Sequence, residues 1–108
     1  MTLAGGGEGF ADGSGAQARL SPQAGVIWAG EFLAVSDAAS FRVRAVVPGT
    51  NSTSTQVFTL AFSGRFGSVD GGAVDAEIGV PLGLGGDGQA VYIADGANGT
   101  IRRLRIGP

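Results

Sequence analysis

The stretch VYIADGANGTIRR, from Val91 to Arg103, decides the fold. Two runs rich in β-branched residues flank a turn of Asp, Gly and Asn, which is typical of two strands joined by a short connection. A looser version, AVSDAASFRVR, runs from Ala34 to Arg44, so that Asp37 lies 58 positions before Asp95. The stretch is therefore one copy of a repeat.

The repeat extends over nearly the whole chain. A one-residue gap aligns Thr2-Leu3-Ala4 with Thr59-Leu60-Ala61. Self-similarity at a long fixed period is typical of repeat architectures, in which one unit does not bury its own core. The identical pairs at the 58-residue shift include Gly9/Gly67, Asp12/Asp70, Ala18/Ala76, Gly25/Gly83, Asp37/Asp95 and Arg44/Arg102.

Short β-rich runs separated by Gly, Asp, Asn and Ser predict an all-β domain of two similar units within residues 1–108. Each unit is interpreted as a blade of strands a, b, c and d. The first blade, about residues 24–61, has predicted strands at Ala24–Trp28, Glu31–Ser36, Phe41–Val47 and Gln56–Ala61. The second, about residues 82–106, has predicted strands at Leu82–Leu84, Ala90–Ala94 and Thr100–Ile106 and lacks its own strand d, whereas Thr2–Ala4 resembles one.

Composition narrows the function classes. The 108 residues include 21 glycines, no Cys and no His, and the net charge is −2. Without Cys and His there is no thiol nucleophile, disulfide, imidazole base or usual zinc ligand. Without a basic stripe a nucleic-acid partner is not expected, and without a long apolar run neither is a membrane partner. No cofactor and no metal are expected, and no cellular compartment is indicated.

The segment Val91–Arg103 resembles the NHL repeat, in which a strand ending in Val-Ala-Asp is followed by a Gly-Asn turn and an Arg-rich strand. The first unit has Ser40 in place of the Asn, and the second has Thr100 in place of the first Arg. The resemblance implies blades of a β-propeller, frequently six-bladed.

Two blades do not close into a ring, because propellers have about four to eight. Three copies supply the six blades that the resemblance implies, so the expected assembly is a homotrimer with C3 symmetry. In it, Thr2, Leu3 and Ala4 of one subunit pair with Ile101, Arg103 and Arg105 of the next. Four chains making eight blades, or an open filament, remain alternatives.

Five charged residues are candidates for a ligand-binding face: Asp37, Asp95, Arg42, Arg44 and Arg102. Each Asp ends a strand, where its side chain also suits capping of the next turn. The matched arginines also suit ion pairs or stacking between blades.

The sequence thus predicts a non-catalytic, self-assembling propeller scaffold that binds a protein or a glycan. The scaffold is either a natural protein or an engineered fragment of repeats. A lectin-like propeller using Trp28 or Tyr92 for sugar stacking is the alternative. A metal-dependent hydrolase or lyase is a third reading, although the nine acidic residues form no distinctive pair in the sequence.

Overall fold

The computed structural model describes residues 1–106, and over these residues the protein is all-β with two antiparallel sheets and no α-helix. This confirms that the protein is all-β. The predicted strands of the two units are found to within two residues at either end. The strands are β1 (Gly13–Ser14), β2 (Gln23–Trp28), β3 (Leu33–Asp37), β4 (Arg42–Val47), β5 (Gln56–Ala61), β6 (Pro81–Gly86), β7 (Ala90–Asp95) and β8 (Thr100–Arg105).

Sheet one has the strand order β1-β5-β4-β3-β2, and sheet two has the order β6-β7-β8. Strand β1 was not predicted; it pairs with the outer side of β5 through Gly13 opposite Val57 and Ser14 opposite Gln56. Two residues, one of them glycine, carry no alternating pattern, so the sequence held no signal for this strand. Sheet one is therefore wider than the predicted four strands.

The 58-residue repeat is also a repeat of structure, since β4 and β8 begin and end 58 residues apart. Phe41 has a left-handed backbone (φ 56°), and its counterpart Gly99 does too (φ 67°). A non-glycine residue rarely adopts this conformation, because its Cβ is then crowded. The unit therefore demands this turn geometry even where the residue is unfavourable.

Two apolar clusters form the core. Cluster one lies between the two sheets, where β2 packs against β6. Cluster two lies on the other face of sheet one. The buried members of cluster one are Ala34, Val43, Ala61, Phe62, Ala76, Ile78, Val91 and Ile93. Those of cluster two are Ala18, Val35, Val46 and Val57, with Leu3, Ala4, Leu20 and Leu33 packed against them.

The segment Thr2–Ala4, predicted as a strand, is irregular in this single chain. A strand exists only where a second strand satisfies its backbone groups. The partner expected for Thr2–Ala4 belongs to another copy of the chain, so the segment has no ladder to join here.

Candidate functional site

Strand β8 is the outer strand of sheet two, and among the described residues no strand pairs with its free side. A cavity of about 470 Å³ lies along this edge. An unpaired edge presents a row of backbone N–H and C=O groups to any passing strand. The cavity is lined in part by Phe62, Asp70, Ala76, Ile101, Arg102 and Leu104.

In sheet one the equivalent edge is covered, because β5 pairs with β4 along its length. The consequence is clearest at two matched positions. Val43 of β4 is fully buried, whereas its counterpart Ile101 of β8 is 71% exposed. A large aliphatic side chain exposed to water lacks the roughly 1.5–3 kcal/mol of stabilisation that full burial provides. Ile101 therefore lacks the burial that Val43 has at the matched position of sheet one.

Residues 2–4 occupy the same place beside sheet one that residues 59–61 occupy beside sheet two. The N–H of Gly6 donates to the carbonyl of Ala18 (2.7 Å), and the N–H of Ser63 donates to the carbonyl of Ala76 (2.9 Å). Two further bonds repeat in the same way, Gly5 to Gly15 matching Phe62 to Ala73, and Gly9 to Leu20 matching Gly67 to Ile78. The N-terminal segment is therefore held where a strand d precedes the connection to the next sheet.

Arg44 is fully buried and fixes the connection of residues 9–20 to sheet one. Its guanidinium donates to Asp37 (2.9 Å), Asp12 (2.8 Å) and the carbonyl oxygens of Arg19 (3.0 Å) and Ala11 (2.9 Å). Charge-assisted bonds of this kind are stronger than neutral ones. Asp37 also accepts the N–H of Ser21.

Arg102 repeats this network in sheet two. It donates to Asp70 (2.7 Å) and to the carbonyl oxygen of Glu77 (2.6 Å), and it lies 4.0 Å from Asp95. Its side chain is 11% exposed, whereas that of Arg44 is fully buried. The two networks also differ at the second acid, since Arg44 donates to Asp37 at 2.9 Å whereas Arg102 lies 4.0 Å from Asp95.

Arg42, the remaining candidate arginine, contacts backbone rather than acid. It donates to the carbonyl oxygens of Ser40 (3.3 Å) and Ser63 (3.2 Å), and its guanidinium lies 3.8 Å from the centre of the Phe10 ring. A guanidinium over an aromatic face gains a cation–π attraction. The five predicted ligand-face residues thus form two ion-pair networks, and Asp37, Asp95 and Arg44 are buried. Each of the three arginines also lies over a phenylalanine ring, Phe10 or Phe62.

Sequence reasoning selected Arg44, Arg102, Asp37 and Asp95 as site candidates, but it noted Asp12 and Asp70 only as a repeated pair. The structure brings Asp12 to Arg44 and Asp70 to Arg102. The signal was present, because both pairs recur at the same 58-residue period.

Asp95 anchors the turn after β7. Its carboxylate accepts the N–H groups of Gly79 (2.9 Å), Val80 (3.3 Å) and Asn98 (3.0 Å) and the Asn98 side-chain amide (2.8 Å). Burial by itself raises the pKa of Asp95, but these hydrogen bonds outweigh it and hold the pKa below its ordinary value. The ionised form is therefore the one that stabilises the fold.

Acid should weaken the protein partly through this group. Because the folded-state pKa of Asp95 is depressed, its contribution is complete above the unfolded pKa of about 3.9 and is lost as the pH falls through the lower folded value. Asp95→Asn should lower the free energy of unfolding at pH 7 by about 1–3 kcal/mol, because the new amide NH₂ faces N–H donors. It should also flatten the loss of stability below about pH 4.

Denaturant unfolding of both forms at several pH values measures this. Asp75→Asn is the matched control, because Asp75 is exposed. Parallel pH profiles for the native chain and Asp95→Asn would contradict the assignment.

The two aromatic residues considered for sugar stacking lie apart in the sheets. Trp28 ends β2 and is 58% exposed. Tyr92 lies in β7, and its hydroxyl donates to Asp87 (2.8 Å), which raises the pKa of Tyr92. Residues 1–106 include no group of three acidic side chains placed to hold a metal ion. In the same span, no helix has the length and apolar character needed to cross a bilayer.

The fold defines the class as an all-β repeat protein with two antiparallel sheets of five and three strands, in which no described strand covers the outer side of β8. No family model matches the chain, and no curated protein matches it. Among solved structures it is similar to the crystal structure of a Bacteroides thetaiotaomicron protein described as "Putative phosphatase", with a TM-score of 0.80 and 25% identity. The match covers 99% of this chain and 26% of that one, so the chain spans about a quarter of that protein's length.

Proposed function

We propose that the chain is a pair of β-propeller blades, similar to NHL repeats, that associates with copies of itself into a closed ring. The ring is a non-catalytic scaffold. The observation that carries this proposal is the contrast between Ile101, 71% exposed, and its counterpart Val43, fully buried. At this matched position the side chain is enclosed in cluster one in sheet one, whereas in sheet two it is exposed to solvent.

Cluster two is the surface that the edge of sheet two of another copy would meet in the proposed ring. Shifted by one repeat, all its residues except Val57 coincide with members of cluster one from the end of β5, the connection after it and sheet two: Leu3/Leu60, Ala4/Ala61, Ala18/Ala76, Leu20/Ile78, Leu33/Val91, Val35/Ile93 and Val46/Leu104. In cluster one they face Ala34 and Val43 of sheet one. In cluster two the buried members are covered by Leu3, Ala4 and Leu20, and no described member of the cluster takes the place of Ala34 and Val43. We propose that Tyr92 and Ile101 of another copy take that place.

The contact joins two different surfaces, the outer face of sheet two and the outer face of sheet one. Such a heterologous contact closes into a ring when its rotation permits, and otherwise runs on as a filament. Three copies supply six blades, within the range of propellers, and we propose the C3 homotrimer. Repetition then displays each loop residue three times on one face, which suits multivalent binding of a protein or glycan.

Ile101→Asp tests the ring. A carboxylate at this position is desolvated without a partner on assembly, so the native mass by light scattering should fall from that of three chains to that of one. Val74→Asp is the matched control: Val74 is 59% exposed, and its counterpart Ala16 is exposed too. A monomeric native chain, or an Ile101→Asp variant with unchanged mass, would refute the proposal.

The phosphatase description belongs to a protein about four times as long as the matched stretch. We propose no phosphatase activity for this chain, because the buried Asp37 and Asp95 are occupied by Arg44 and by turn N–H groups. Incubation of the purified chain with p-nitrophenyl phosphate checks this. Hydrolysis that co-purifies with the chain would overturn the non-catalytic role.

A further inference from the structure

We infer that the side chain of Trp28 packs over Gly85 of the next copy, so that the inner strands β2 and β6 form a second contact between copies. This inference rests on the proposed ring. It adds a contact separate from the edge of β8, and it begins from two exposed surfaces. Val26 and Trp28 of β2 are 59% and 58% exposed, and a side chain added at Gly83 or Gly85 of β6 would meet nothing within 4 Å.

Trp28 lies on the face of sheet one that carries cluster two. It is directly opposite Leu33, and Val26 is directly opposite Val35. Side chains of directly opposed residues share a face of the sheet. Leu33 and Val35 both belong to cluster two, so Trp28 extends the unfinished apolar face toward the inner strand.

Inside the chain, the equivalent contact is made by a large residue over a glycine. The Cδ1 atom of Ile27 lies 3.4 Å from the place where a Cβ of Gly86 would be. Ile27 therefore uses the absence of a side chain at Gly86 to approach β6. It packs against cluster one, between the sheets.

The repeat counterparts of this pair have the opposite sizes, a glycine for the large residue and a large residue for the glycine. The counterpart of Ile27 is Gly85, and the counterpart of Gly86 is Trp28. Inside the chain the earlier repeat position, Ile27, is the large one, whereas in the contact between copies the equivalent position is Gly85 and the large side chain is Trp28 of the following sheet. A large residue opposite a glycine fills the space in both arrangements, whereas two large or two small residues would clash or leave a void.

Other positions on the two faces also differ in size from their counterparts. On the face of cluster two, Val35 and Val46 are smaller than their counterparts Ile93 and Leu104. On the outer face of sheet two, the larger Tyr92 and Arg103 stand in place of Ala34 and Ala45. The repeat sets these two faces opposite each other, as Ala34 and Val43 of sheet one are set opposite Val91 and Ile93 of sheet two inside the chain. The occupant of the Trp28 face is therefore a second copy of this chain.

The experiment uses the full chain and two substitutions. Gly85→Ile should weaken assembly about tenfold or more per contact, because Trp28 then meets an isoleucine. The fold of the single chain should persist, since the added side chain meets open space. Trp28→Gly should weaken assembly through a void. The double variant should restore it, because it recreates the pair that Ile27 and Gly86 form inside the chain.

Fluorescence gives an independent measurement, since Trp28 is the only tryptophan. Its emission should shift to shorter wavelength, and iodide quenching should fall, as the concentration is raised through the monomer–ring transition. A ring of normal mass with water-exposed Trp28 emission, and with unchanged assembly of Gly85→Ile, would overturn this inference and leave the ring intact. A monomer at all concentrations would overturn both.

Discussion

Deletion of Met1–Ala4 should convert the assembled ring into monomers. In sheet one, Ala61 is opposite Val43, Thr59 opposite Arg44 and Phe58 opposite Ala45. Moved onto sheet two, this register sets Ala4 of the neighbouring copy opposite Ile101, Thr2 opposite Arg102 and Met1 opposite Arg103. The deletion removes every backbone hydrogen bond of that ladder and the apolar contact of Leu3.

The register refines the predicted interface. In this register residues 1–4 pair at Ile101, Arg102 and Arg103, and the expected pairing at Arg105 stays a prediction. The Thr59 hydroxyl lies 3.4 Å from Asp12 in sheet one, and Thr2 should contact Asp70 of the next copy in the same way. The donated strand therefore also reaches the Arg102 network.

Native mass and circular dichroism together measure the outcome. The deleted chain should keep its β spectrum, because cluster one contains none of residues 1–4. Leu3→Asp should give the same result by substitution, and Leu3→Ile, which keeps an apolar side chain, is the control. Unchanged mass after the deletion would refute strand exchange.

The sequence predicted the fold class well because strand and turn chemistry are local. Glycine and Asp-rich turns bound every run, and the 58-residue period checked each assignment twice. Strand β1 escaped because its position depends on the edge of β5, a tertiary fact without a local signature. The irregular Thr2–Ala4 shows the converse, since its local pattern is that of a strand but no strand among the described residues pairs with it.

The candidate site divides in the same way. Ile101 was assigned to the interface from the repeat alone, and its exposure was not visible until its burial could be compared with that of Val43. The roles of Asp12 and Asp70 depended on which connection folds back over which sheet. From the sequence, Trp28 was a candidate for sugar stacking. Only the empty space above Gly85 connects it with a surface of matching shape.

Arg44→Met should be the most destabilising single substitution within one chain. It removes the only guanidinium that meets Asp37, and both side chains of this pair are fully buried. Loss of one member of a buried ion pair leaves an uncompensated charge, which costs about 3–5 kcal/mol. It also releases the carbonyl oxygens of Ala11 and Arg19, which hold residues 9–20 against sheet one.

Arg42→Met is the matched control in the same strand, because Arg42 is half-buried and donates to backbone carbonyl oxygens instead of a buried acid. Denaturant unfolding at a fixed protein concentration compares the two. Arg102→Met should fall between them, since Asp70 is exposed and Asp95 keeps its turn N–H donors. If Arg44→Met and Arg42→Met lost equal stability, the Asp37 contact would carry no special weight and the repeated network would reduce to packing.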